Sequence, residues 1–259
     1  YLASFSARRD GSYAFGIDNK FANFFAGSLG WVVSKENFFN VKQIDFLKIR
    51  GSYGSIGNEN VSPQNVSIVT GGPSYGSTAN SNGYTFGGVF YPGSTVGSAA
   101  NSALGWEKQL QTNVGFDANF LNNKISLSAD YFQKKVEGLL FTPSASLYLG
   151  TVPIPVANIG STKSSGFDLT LGYRETIIKK IKLNTSLTFT TAKNEVTATN
   201  TDGTAKILGG YYFNGQSQSV TVFEKGFTPG YFYGYKTDGL FQTAADVASH
   251  ATQPGAQPG

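Results

Sequence analysis

Residues that could carry chemistry are few and scattered. The chain of 259 residues has one histidine and no cysteine. That composition excludes disulfides, thiolate metal sites and a cysteine nucleophile. His250 has no second His or Cys at ligand spacing, so it reads as a solvated or packed side chain, not a base or a ligand. Asp202-Gly203 lacks the acidic repeat of a calcium loop and reads as a turn. Gly51, Gly54 and Gly57 recur every three residues and match neither a dinucleotide fingerprint nor a phosphate loop. Arg8, Arg9 and Asp10 read as an ion pair at the base of a loop before they read as a substrate contact. With no nucleophile, acid–base pair, metal cluster or cofactor motif, the chain reads as a non-enzyme without a cofactor. What remains is a set of aromatic residues in irregular stretches: Tyr75, Tyr84, Phe86, Tyr91, Tyr148, Tyr211 and Tyr212. Flat rings give large contact area at low entropy cost, which makes these residues candidate contacts for a ligand or a covering protein. Packing of the loops on one another is the alternative.

The elements that would position those loops are strands. Val114, Phe116, Ala118 and Phe120 alternate with Asn113, Gly115, Asp117 and Asn119. After Asn122-Asn123 the alternation restarts, with Ile125, Leu127, Ala129 and Tyr131 against Ser126, Ser128 and Asp130. A period of two gives each strand one apolar and one polar face. Asn tolerates the left-handed backbone of tight turns, so Asn122-Asn123 joins a hairpin. Strands of about 9–11 residues are long enough to cross a bilayer when tilted. The polar face is Asn, Asp, Ser and Gly, not the Lys/Glu mixture of an ordinary solvent face, and suits a wet, crowded interior.

Similar alternation covers Phe25 to Val33, Leu47 to Tyr53, Phe167 to Tyr173 and Leu183 to Phe189, and Tyr1 to Asp10 fits a further strand. Tyr231 to Tyr235 reads as a strand or a packed loop, and Ala244 to Ser249 as a short helix. Long irregular connections fall near 10–22, 54–105, 142–160 and 196–230, and short ones near 35–45, 121–124 and 177–182. Strict alternation of long and short puts all long loops at one end of an antiparallel sheet. Outer-membrane barrels show that sorting, with brief periplasmic turns and extended extracellular loops.

Composition agrees with this reading. Charged residues are 14%, against about a quarter in ordinary soluble domains, and glycine numbers 32. The net charge of +4 comes with basic residues in isolated pairs such as Arg8-Arg9 and Lys134-Lys135. That footprint argues against a nucleic-acid partner. No apolar run reaches the length of a membrane helix, which leaves strands as the only means of crossing.

Several stretches resemble the SusC/RagA-type TonB-dependent transporters. Phe46-Leu47-Lys48-Ile49-Arg50-Gly51-Ser52-Tyr53-Gly54-Ser55-Ile56-Gly57-Asn58 is similar to that family's "LKLRGSYGxTGN" signature. Arg9-Asp10-Gly11-Ser12, Gly30-Trp31 and Gly105-Trp106-Glu107 resemble its "RRDGSS", "SxGW" and "LKWE" blocks, in the same order. Asn158-Ile159-Gly160 with Ser165-Gly166-Phe167-Asp168 resembles "NIGxxxNxGxE", Ser165 replacing the Asn and Asp168 the Glu. Tyr233-Gly234-Tyr235-Lys236-Thr237-Asp238-Gly239-Leu240-Phe241 resembles "YGYxxDGIF". The resemblance implies an all-β fold, a transmembrane antiparallel β-barrel, of which residues 1–259 form the later-middle part of a plugged 22-stranded wall. The plug is expected before Tyr1 and the closing strands after Gly259. The implied function is import of oligosaccharides or peptides across the outer membrane, energised by TonB–ExbB–ExbD through the plug, with a SusD-like lipoprotein as a lid. A passive porin-type barrel and a secreted all-β adhesin or carbohydrate-binding module are the alternatives.

Overall fold

The computed structural model describes the chain except residues 62–68, 72–82, 93–94, 99, 143–153, 179–180, 200–205, 214–215, 237–238, 253 and 259. Seven long strands form one antiparallel sheet: β1 Leu2–Gly11, β2 Phe21–Val32, β3 Ile44–Asn58, β4 Glu107–Phe120, β5 Ile125–Glu137, β6 Ser161–Ile178 and β7 Ile181–Ala198. Their spatial order is their chain order, so each strand pairs with the next as a meander. They run from 10 to 18 residues, longer than the alternation alone indicates.

Cross-strand register carries the alternation through the whole sheet. Gly27, Tyr53 and Thr112 lie in one row, and Leu29, Gly51, Val114, Tyr131 and Phe167 in another. Trp31, Ile49, Phe116, Ala129, Leu169 and Phe189 make a third. The apolar sets of the individual strands therefore fuse into one band on one face. That band is not covered: Phe5 is 77% exposed, Leu29 70% and Leu187 68%. A continuous apolar surface of this extent needs an apolar neighbour. Among the described residues, buried apolar side chains are few and sit largely at the strand ends, among them Phe15, Phe24, Leu104 and Val196.

At one end the strands are joined by 33–43, 121–124 and 179–180, and at the other by 12–20, 59–106 and 138–160. Strict sorting by length does not hold for the first pair, because 12–20 is no longer than 33–43. The β2–β3 connection is lengthened by a 3-10 turn, Val33–Lys35, and by Phe38, which packs on Trp31 at 6.2 Å between ring centroids. The β4–β5 turn holds Leu121, Asn122 and Asn123 all at positive φ, 54°, 58° and 60°. Asn122 and Asn123 are the residue type expected there, and Leu121 is not. The turn is fixed from outside by the Asn123 amide donating to Asp45 Oδ2 at 2.8 Å and by Asn119 Nδ2 donating to Asn123 Oδ1 at 2.9 Å.

The long connections are not bare loops. Short paired strands occupy Val69–Gly71 with Thr95–Ser98, and Gly83–Phe86 with Val89–Pro92. The segment after β7 folds into a small sheet of Ile207–Phe213, Gln216–Phe223 and Tyr231–Phe232. The helix Ala244–Ser249 forms as expected, started by a capping box in which Thr243 and Asp246 exchange hydrogen bonds.

Candidate functional site

The face opposite the apolar band is polar and tied together by one arginine. Arg50 on β3, Gly115 on β4, Asp130 on β5 and Asp168 on β6 lie in a single cross-strand row. The row beside it holds Lys48, Asp117, Ser128 and Thr170. The Arg50 guanidinium donates through Nε to Asp117 Oδ2 at 3.0 Å and through Nη2 to Asp130 Oδ2 at 2.6 Å. Nη2 also lies 3.3 Å from Ser128 Oγ, and that hydroxyl donates to Asp117 Oδ1 at 2.8 Å. One planar fork thus bridges carboxylates on two different strands, which a lysine could not do in the same geometry. The bridge needs Gly115: a Cβ there would collide with the Asp130 carboxylate, which lies across the space a side chain would fill. Asp130 Oδ1 is buried and has no partner among the described residues, so the site keeps an unused acceptor. Arg50 itself lines a recess of about 360 Å³ together with Ser4, Ser28, Lys48, Ser52 and Asn113.

At the loop end a small core binds three connections to the sheet. Phe15 and Phe24 pack on Trp106, with ring centroids 5.3 and 5.6 Å away, and Leu104 is fully buried nearby. Gly57 lies under the Phe24 and Trp106 rings, where no Cβ fits. Asn158 clamps the connections: its Oδ1 accepts from the Gly105 amide at 2.7 Å, and its Nδ2 donates to the Gly105 and Gly138 carbonyls at 2.8 and 3.1 Å. Asn19 and Asn101 add bonds to the Ala103 and Val156 carbonyls at 3.0 and 2.9 Å. The motif residues Gly57, Gly105, Trp106 and Asn158 therefore serve to seat the loops. Arg8 pairs with Asp10 at 2.8 Å, the ion pair at the loop base that the sequence suggests.

In the small sheet beyond β7, Tyr231 donates its phenol to Glu224 Oε2 at 2.6 Å, and Lys206 Nζ lies 3.2 Å from Glu224 Oε1. That carboxylate pushes the Tyr231 phenol up to about 12. The phenol in turn, with Lys206, holds the Glu224 carboxyl below its ordinary range.

Among the described residues, the aromatic candidates lie on two elements, a hairpin and a strand. Phe86 and Tyr91 are exposed on the Gly83–Pro92 hairpin, whose two-residue turn is Gly87-Gly88 at positive φ. Tyr84 pairs with Tyr91 in the same hairpin. Tyr211 and Tyr212 lie on the strand Ile207–Phe213. Tyr75 and Tyr148 lie outside the described residues, as do Asp202 and Gly203. His250 packs edge-on against Phe241 at 5.2 Å, and no metal-holding group of acids and histidines occurs among the described residues. The Arg50 network was missed in the sequence because its members sit on three strands. Its only signal is register: once β3, β4 and β5 are aligned, Arg50 falls between two aspartates.

The strand meander, the exposed band and the ion-paired polar face define the wall of a membrane β-barrel. Residues 3–256 match the model of the family described as TonB dependent receptor-like, beta-barrel, and the chain belongs to that family. It is 32% identical over 248 residues to TonB-dependent receptor P3 of Formosa agariphila, covering 93% of this chain and 23% of that protein. It is 29% identical over 257 residues to TonB-dependent receptor SusC of Bacteroides thetaiotaomicron, covering 91% of this chain and 23% of SusC. Among solved structures it is similar to the RagAB peptide importer in its closed-closed state, with a TM-score of 0.75, 25% identity, 93% of this chain covered and 24% of the other. The chain thus spans about a quarter of the length of these relatives. The TonB-dependent receptor family is one of outer-membrane β-barrels, which accounts for the exposed apolar band.

Proposed function

We propose that the complete protein is an outer-membrane transporter that imports oligosaccharides or peptides, energised through TonB and working with a SusD-like lipoprotein over its loops. The observation that carries this reading is a single antiparallel sheet whose apolar face is uncovered while its polar face is ion-paired through Arg50. Together with the family assignment, it supports a wall between lipid and a hydrated interior. The similar structure is of a peptide importer, which supports the peptide class, and the oligosaccharide class rests on the resemblance of the sequence blocks to SusC/RagA-type transporters. The plug that would couple the barrel to TonB is expected from parts of the protein outside residues 1–259. The polar cluster of Arg50, Asp117 and Asp130 would border that plug or the solute path, where Asp130 Oδ1 still has room for a donor.

Topology gives the test. An epitope inserted after Gly88, at the tip of an exposed hairpin turn, should be labelled by antibody on intact cells. One inserted after Asn122 should be reached only after the outer membrane is opened. Reversed labelling refutes the orientation. Loss of growth on a glycan or peptide when the gene is deleted, restored by the tagged protein, tests the import itself.

A further inference from the structure

We propose that a second polar recess, near the turn end of the sheet, receives the carboxylate of a passing solute, with Arg174 as its anchor. This inference rests on the reading that the polar face borders the solute path.

Register builds the recess from adjacent strands. Asn119 on β4, Ser126 on β5 and Gly172 on β6 form one row of the polar face. One polar-face position nearer the turn end, Arg174 on β6 pairs with Asn184 on β7. With Asn123 and Lys124 of the β4–β5 turn, these residues surround a hollow of about 310 Å³. Gly172 keeps it open: a Cβ there would collide with Ser126 Oγ, so a hydroxyl stands where a side chain would otherwise be.

The groups around the hollow select for an acid. Arg174 is exposed, and its guanidinium has no hydrogen bond or ion pair among the described residues. The Ser126 hydroxyl and the Asn184 carboxamide are equally unengaged there. Asn119 Nδ2 donates to Asn123 Oδ1 at 2.9 Å, which leaves Asn123 Nδ2 as a further donor. The neighbouring charges are already committed: Lys124 pairs with Glu175, and Asp45 accepts from the Asn123 amide at 2.8 Å. A planar guanidinium with nothing to hold is matched by a planar carboxylate, through two parallel N–H···O bonds. Carboxamides and a hydroxyl both donate and accept, so they suit the amide or hydroxyl groups that flank such a carboxylate.

Charge along the polar face runs the same way. At mid-depth Asp117, Asp130 and Asp168 outnumber Arg50 and Lys48. Past Asp117 toward the turn end, β4 to β7 present Arg174 and Lys182 on this face and no acid. A carboxylate is therefore disfavoured in the middle of the wall and held near its turn end, the exit side in the proposed orientation. The hollow lies at the small end of the range of ligand sites, so it takes the terminal unit of a chain and not a whole oligomer. A peptide C-terminus and a uronic-acid sugar both present that unit, a carboxylate beside hydrogen-bonding groups.

The test uses the complete protein, purified from outer membranes in mild detergent, and equilibrium dialysis against paired probes. One pair is a short alanine peptide with a free or an amidated C-terminus. The other is oligogalacturonate with free or methyl-esterified carboxyls. The wild type should retain a free acid over its neutral counterpart, and the pair that shows the preference identifies the source of the carboxylate. Hydrogen bonds to a charged group are strong enough that Arg174→Gln should cut that preference by about tenfold or more. Arg174→Lys should recover only part of it, because a point charge lacks the fork. Heat-modifiable mobility of the same proteins checks that each variant is folded. No preference for either acid in the wild type, or an undiminished preference in folded Arg174→Gln, overturns the proposal. A lower yield of folded barrel in Arg174→Gln, with no acid preference in the wild type, would mean that the guanidinium holds the plug, and overturns it as well. The import reading fails on a different result: growth on glycan or peptide unaffected by deletion of the gene.

Discussion

Arginine placed at Ala129 and at Ser128 compares the two faces of one strand at adjacent positions. Ala129 lies between Phe116 and Leu169 in the apolar band. Along β5 the outward positions run from Ile125 at the turn to Lys135 at the loop end, and Ala129 falls near their middle. At about 3.3 Å per residue and a strand tilt of about 40°, it sits roughly 10 Å above one interface and roughly 15 Å below the other. Ala129→Arg then puts a guanidinium near the bilayer midplane, at a cost of about 2–4 kcal/mol. Since about 1.4 kcal/mol is a factor of ten, the folded barrel is disfavoured roughly 30- to 700-fold. Ser128 points the other way, donating to Asp117 at 2.8 Å and lying 3.3 Å from Arg50. Ser128→Arg loses that hydroxyl bond, about 0.5–1.5 kcal/mol, and crowds Arg50, yet finds two aspartates already there. The assay is heat-modifiable mobility of the complete protein refolded into lipid vesicles across a urea series. Ala129→Arg should lower the folded fraction clearly more than Ser128→Arg. A larger loss for Ser128→Arg means that the apolar band packs against protein and refutes the lipid-facing assignment.

Arg50→Ala should lower the urea midpoint by an amount equivalent to about 1–3 kcal/mol, because Asp117 and Asp130 are left without their shared cation, and Arg50→Lys should recover only part of it. An unchanged midpoint would show the bridge to be inert. Gly57→Val should cost about 1–3 kcal/mol through collision with Phe24 and Trp106, and expose residues 12–20 and 101–106 to limited proteolysis; retained protection would contradict the close packing. Replacing Tyr231 by Phe should remove the step near pH 12 from the alkaline absorbance titration of the tyrosines. The phenol's raised value means that its link to Glu224 supports the small sheet below pH about 10 and is lost as pH rises through about 12. Glu224, held low, gives support above the ordinary carboxylate range that fades as pH falls through its lowered value. A titration unchanged by Tyr231→Phe would refute the bond.

The strands of the main sheet were legible because each writes its two faces in a period of two, and a slip of one residue would turn Leu127 and Ala129 inward and Ser128 and Asp130 outward. Asn122-Asn123 gave away its turn by residue type, whereas Leu121 at positive φ is imposed by the bonds closing around it. The paired strands in 69–98 were hidden because each is only 3 or 4 residues long, too short for a period of two to show. The Arg50 bridge was illegible for a different reason: it joins residues 67 and 80 positions apart, and only the alignment of three strands puts them in contact. The resemblance blocks marked the right residues without saying why. Structure supplies the reason, in the close approach at Gly57 and the triple clamp at Asn158.

The outermost strands of the meander, β1 and β7, have a strand neighbour on one side only among the described residues. In water an open edge is a template for stray association. In hydrocarbon it is worse, because each unpaired backbone amide or carbonyl costs several kcal/mol. This stretch of wall therefore cannot enter a bilayer as a free-standing module. Its insertion is collective, licensed only when neighbouring strands meet both flanks in register. A lesion at either seam would then act on biogenesis before transport: the chain would be held by chaperones or degraded in transit, with its loops and polar face chemically intact.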